Sequence, residues 1–85
     1  MAKKLVSYVP CFEGCVPSRV HGCECRFDVT YVSGVERSFA GRVSSVSVLM
    51  RALRQRMCSD SSIFNVCVFD PSGVLVCEVG WHYRA

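Results

Sequence analysis

The stretch from Ile63 to Trp81 limits the possible folds more than any other part of this chain. Ile63 to Phe69 is a run of β-branched and aromatic residues, and Val74 to Trp81 is a second. Between them stands Asp70-Pro71-Ser72-Gly73. Proline presets the φ of a type I turn, and glycine takes the positive φ of the bulge that follows it. The whole reads as a β-hairpin. Asn65 and Glu78 are the main polar interruptions, so both strands are expected at the sheet centre or under a partner, where neither face is wet.

A second hairpin is written in strict alternation. Cys25, Phe27, Val29 and Tyr31 fall on one face of a strand over 24–32, with Glu24, Arg26, Asp28 and Thr30 on the other. Ser33-Gly34 supplies the turn, and the return strand over 35–40 is expected to point Val35 and Phe39 inward and Glu36 and Ser38 outward. Residues 4–9 form a short strand that ends at Pro10, which cannot donate to a ladder. From Cys11 to Cys23 the glycines, proline and serine leave a loop.

At Ser44-Ser45 the period changes. Val46, Leu49, Met50, Leu53 and Met57 recur at helical spacing, and either serine suits the N-cap. Arg51, Arg54 and Gln55 fall on the opposite side, and the helix is expected to stop near Cys58, before Ser-Asp-Ser-Ser. The class is therefore α+β: an antiparallel sheet of four to five strands in the order β-loop-ββ-α-ββ, with one amphipathic basic helix packed on one face. One such helix cannot cover five strands. Part of the Phe64, Val66, Val68, Val74 and Val76 set is expected to stay open, for a partner or for a homodimer through the exposed sheet face.

Residues 1–85 have material for a single domain and one core. With 51% hydrophobic and 20% charged residues the chain is not a disordered tail. No run has the length of a membrane span, and the opening residues to Pro10 lack the apolar segment of a secretory signal, so a cytoplasmic protein is expected.

The seven cysteines are odd in number, and most are expected to be reduced thiols. Cys11, Cys15, His21, Cys23 and Cys25 lie close enough in sequence to supply zinc ligands. Their Cys-x3-Cys and Cys-x-Cys spacings are not the Cys-x-x-Cys knuckles of such sites, and Cys25 belongs to the core face. Cys11, Cys15, Cys23 and Cys25 are therefore read as loop thiols or small buried hydrophobes, with zinc and a disulfide as alternatives. No cofactor is expected. Cys58, Cys67 and Cys77 read as core filler; the four-residue turn puts Cys67 nearer Val76 than Cys77, against a cross-strand bridge.

Catalysis needs a nucleophile or an acid–base pair with an orienting group. Cys11, Cys15, His21 and His82, with Glu13 and Glu24 as orienters, are the available residues, and no motif fixes their geometry. The glycines are dispersed and form no phosphate-binding loop. A non-enzymatic protein is expected.

Charge is more informative. Arg37, Arg42, Arg51, Arg54 and Arg56 stand between Glu36 and Asp60 with no acidic residue among them. Such a block implies an acidic protein surface or a nucleoprotein complex as partner, with nucleic acid as the alternative, and these five arginines are the candidate contact residues. Tyr8, Tyr31, Trp81 and Tyr83 are the aromatics that could stack bases beside them. A pI of 8.6 and the absence of a helix-turn-helix or RNP pattern weigh against nucleic acid.

The stretch Phe27-Asp28-Val29-Thr30-Tyr31-Val32-Ser33-Gly34, the arginine-bearing helix Ser45 to Met57 and the closing hairpin Phe64 to Trp81 resemble, in layout, small phage-encoded inhibitor proteins, anti-CRISPR proteins among them. The resemblance spans residues 25 to 81 and carries no diagnostic motif, so no residue role transfers from it. It implies a stoichiometric binder in the host cytoplasm that masks a protein or nucleoprotein surface.

Overall fold

The structure is a computed structural model that describes residues 3–9 and 22–83. Five strands and one helix follow in the order β1 (Lys3–Tyr8), β2 (Cys23–Tyr31), β3 (Glu36–Val43), α1 (Val46–Ser59), β4 (Ile63–Phe69) and β5 (Leu75–Tyr83). The strands form one antiparallel sheet in the spatial order β1-β5-β4-β2-β3. This is the expected α+β architecture, with the helix packed against the sheet.

Both turns form as their chemistry requires. Gly34 has φ of 91° and donates its N–H to the Tyr31 carbonyl at 2.9 Å. At the second turn, Asp70 Oδ1 accepts from Ser72 N–H and Val74 N–H, both at 2.9 Å, while Gly73 takes φ of 85°. The carboxylate thus replaces backbone partners that the turn cannot offer, which accounts for Asp70 as the buried polar side chain among the described residues. The bulge falls between Val68 and Phe69. It shifts the register so that Cys67 lies opposite Glu78 and Cys77 opposite Val68. Cys67 is therefore not beside Val76, as counting from the turn suggests, and the two thiols point to opposite faces of the sheet.

Ser45 is the N-cap of α1, accepting from Val48 N–H at 3.2 Å. Val46, Leu49 and Met57 are the buried helix residues. They meet the face of the sheet that carries Cys25, Val29, Val66, Val68, Cys77 and Val79, together forming one core cluster. The hairpin β4–β5 sits centrally, as its apolar character implies, and Val66, Val68 and Val76 are fully covered.

Two expectations change at this point. The helix lies over β5 and β4, and Val66, Val68 and Val76 are covered, whereas Phe64 and Val74 of the same set stay half-buried. Apolar surface is left uncovered over β2 and β3, and Val6, Tyr8 and Val9 are exposed on and just after β1. Val35 and Phe39 do share the core-side face, yet each remains 49% exposed, because β3 is an edge strand beyond the reach of the helix.

Candidate interaction surface

The space between α1 and the β2–β3 hairpin is a trough. Phe27, Val29, Tyr31, Phe39, Ile63 and Val66 form its floor, and Leu53 and Arg56 form its helical wall. It continues past Phe27 to a hollow bounded by Arg42, Val43, Val48 and Ala52, and at the other end past Tyr31 to Val32, Val35 and Arg37. Phe39 and Val48 are about half exposed here, and such a contiguous apolar strip on a small chain marks a contact surface. Among the described residues no aspartate or glutamate lines any part of it.

Each charged residue reaches this surface by simple geometry. Arg56 follows Leu53 by three positions on α1, so the two stand on adjacent turns of one helical flank. Arg37 shares the odd-numbered, helix-side face of β3 with Phe39. Arg42 is held at the strand end by a 3.0 Å hydrogen bond from its Nη1 to the Gly22 carbonyl. Of the five arginines singled out by charge, Arg37, Arg42 and Arg56 therefore border one trough.

Arg51 and Arg54 do not. Both are exposed, but neither borders the trough, and Arg54 Nη1 donates to Ser7 Oγ at 2.5 Å, across the opposite flank of the helix. Arg54, on the side of the helix opposite the apolar stripe, thus bridges α1 to β1. The trough itself was not legible from the sequence, because the alternation that marks Phe27, Tyr31 and Phe39 as core-facing does not say which strands the helix covers.

The other face of the sheet is polar at its centre. Asn65 Nδ2 donates to Glu78 Oε2 at 3.0 Å and approaches Cys67 Sγ at 3.4 Å. Ser38 Oγ donates to Asp28 at 2.9 Å, and Arg26 pairs with Asp28 at 3.1 Å while lying over the Phe69 ring. These groups satisfy one another. Burial, with the Glu78 carboxylate beside it, pushes the Cys67 thiol up to about 11, and burial pushes Cys77 up to about 12. Burial likewise raises Cys25. A nucleophilic cysteine needs the opposite shift, since the thiolate is the reactive form.

The remaining sequence candidates separate. Cys25 is buried in the core cluster, with its Sγ facing the Cys23 carbonyl at 3.9 Å. Cys11, Cys15, Glu13 and His21 lie outside the described residues, and so does any metal site built on them. Among the described residues no three His, Cys, Asp or Glu side chains converge as a metal site would require. His82 is exposed on β5. Of the aromatics proposed for stacking, Tyr8 is exposed at the β1 edge and Tyr31 is half-buried in the trough. Trp81 is half-buried beneath Lys3, whose Nζ lies 4.4 Å from the ring centroid, and the Tyr83 side chain lies outside the description. Tyr8, Tyr31 and Trp81 do not form one stacking platform.

No helix of the described residues is long and apolar enough to cross a membrane. No family model matches this sequence, and no curated protein or solved structure is significantly similar to it. The layout resemblance to phage inhibitors thus gains nothing from these comparisons, and a functional reading rests on the surface itself.

Proposed function

We propose that this chain is a non-enzymatic interaction protein that captures an acidic, amphipathic segment of another protein in the trough between α1 and the β2–β3 hairpin. One observation carries the reading: an apolar floor centred on Phe27 and Phe39 is bordered by Arg37, Arg42 and Arg56 and, among the described residues, by no carboxylate. Apolar anchors laid into such a floor supply affinity, while guanidinium groups at the border select carboxylates through charge-assisted hydrogen bonds. A protein that masks a host surface, the role implied by the resemblance to phage inhibitors, would use a trough of this kind. Among the described residues Cys25, Cys58, Cys67 and Cys77 carry free thiols, which suits a reducing compartment such as the cytoplasm.

The test is a titration with a fluorescently labelled acidic amphipathic helical peptide, its lysine-substituted counterpart, and single- and double-stranded oligonucleotides. Saturable binding of the acidic peptide alone supports the reading. Binding of oligonucleotides with a steep salt dependence, and none of the peptide, replaces it with the nucleic-acid alternative.

A further inference from the structure

The two edges of the sheet are built differently. β1 carries Lys3 and Lys4, the residue type that discourages edge-to-edge pairing. The other edge, β3, contains neither lysine nor proline, pairs with β2 without a bulge from Cys23 to Thr30, and is exposed from Glu36 to Ala40. The hydrogen-bonding groups that no described strand pairs with can be assigned. Val35 and Val43 turn their carbonyls toward β2, accepting from Tyr31 N–H at 2.8 Å and from Gly22 N–H at 2.7 Å. Peptide groups alternate in direction along a strand, so those of Glu36, Ser38, Ala40 and Arg42 point out of the sheet.

We propose that β3 pairs antiparallel with β3 of a second copy, on a two-fold axis through Phe39, to make a continuous ten-stranded sheet. The register follows from the charges. With Phe39 opposite Phe39 of the second copy, Ser38 faces Ala40 and Glu36 faces Arg42, so that each end of the ladder carries an opposite-charge pair. Arg37 then stands opposite Gly41, over which the Phe27 ring lies. The outward peptide groups of Glu36, Ser38, Ala40 and Arg42 all find partners, about eight hydrogen bonds in total for the alternating pattern of an antiparallel ladder. Phe39 becomes part of a non-hydrogen-bonded pair, the closer of the two pair types and the one in which aromatic side chains interact best.

The side chains already present fit this arrangement. Phe27 lies opposite Phe39 within one copy, and Val68 opposite Phe27, so the pairing extends an existing apolar row across the axis. Shifting the register by two residues in either direction breaks the Glu36–Arg42 pairing and removes Phe39 from the axis. Arg42 spends one N–H donor on the Gly22 carbonyl and keeps the others for the carboxylate of the second copy. Two-fold pairing of one patch with itself is the commonest way in which small proteins assemble, and it removes one of the two exposed edges.

Sedimentation equilibrium under reducing conditions tests this at about 100 μM, where an interface of micromolar Kd is mostly dimeric. The parent chain is expected to be a dimer. Ala40→Pro removes an N–H that points away from β2, so the sheet of each copy stays intact while the dimer is lost. Glu36→Arg sets two arginines opposite each other and should raise the dimer Kd at least tenfold. The double change Glu36→Arg, Arg42→Glu should restore it, which only the stated register does. A parent chain that stays monomeric, a dimer that dissolves on reduction, or one indifferent to both Ala40→Pro and Glu36→Arg overturns the proposal. Should Ala40→Pro fail to fold by circular dichroism, the charge exchange alone decides. Peptide binding in the trough is measured separately, so neither result stands in for the other.

Discussion

Asn65 occupies the space that a side chain on Gly80 would need: the two residues are paired across β4 and β5, and a Cβ on Gly80 would overlap the Asn65 amide oxygen. The absence of a Cβ at position 80 is therefore what lets the Asn65 amide lie across β5 and reach Glu78. Gly80→Ala should push the amide out of this position and destabilise the fold by about 1–3 kcal/mol, the usual cost of overpacking. In an Asn65→Ala background the same change should cost much less, because the group it collides with is gone. A double-mutant cycle by urea denaturation measures the coupling, expected at about 1 kcal/mol or more. Additive effects would mean that the two residues do not interlock.

Burial separates two helix residues that sequence periodicity treats alike. Met57 is 1% exposed on the sheet-facing side of α1, whereas Leu53 is half-buried and forms part of the trough wall. Met57→Ala should cost about 2–5 kcal/mol, and Leu53→Ala less than Met57→Ala, because a cavity opens only where surrounding atoms cannot be replaced by water. Equal losses in denaturant melts would place Leu53 in the core as well.

The buried thiols impose an alkaline limit on stability. In the unfolded chain cysteines ionise near the ordinary thiol range, about 8.5, whereas burial holds Cys67 near 11 and Cys77 near 12 in the folded state. Above the unfolded value the unfolded state has released protons that the folded state retains. Stability contributed by these groups is thus complete at neutral pH and falls as pH rises from about 9 toward 12. Thermal melts across that range should show Tm falling, and the fall should be shallower in a Cys67→Ala, Cys77→Ala variant. Alkylation at pH 8, mapped by mass spectrometry, should label exposed Cys58 well before Cys25 or Cys77.

The trough reading sets the arginines apart from one another. Arg37→Glu with Arg56→Glu should weaken acidic-peptide binding at least tenfold, which corresponds to about 1.4 kcal/mol, while the fold survives because both side chains are exposed. Arg51→Glu, away from the trough, should change binding less than threefold. Fluorescence anisotropy at fixed ionic strength distinguishes the two cases. Equal losses from both sets would indicate long-range attraction to the net positive charge rather than contact.

Local chemistry decided the elements. Pro71 and Gly73, Gly34, the alternation from Glu24 to Val32 and the spacing from Val46 to Met57 each act over a few residues, so the two hairpins, the helix and the α+β class were readable in the chain. The clustering of five arginines was readable too, but its division was not. Arg37, Arg42 and Arg56 border one surface, and Arg54 binds Ser7 instead, because strand order and the seat of the helix fix their neighbours. The same holds for Phe39: its period marks it as facing the core side, yet it is left uncovered. Periodicity reports which way a side chain points, whereas what lies above it depends on long-range packing of α1 over β4 and β5, which only the tertiary structure decides.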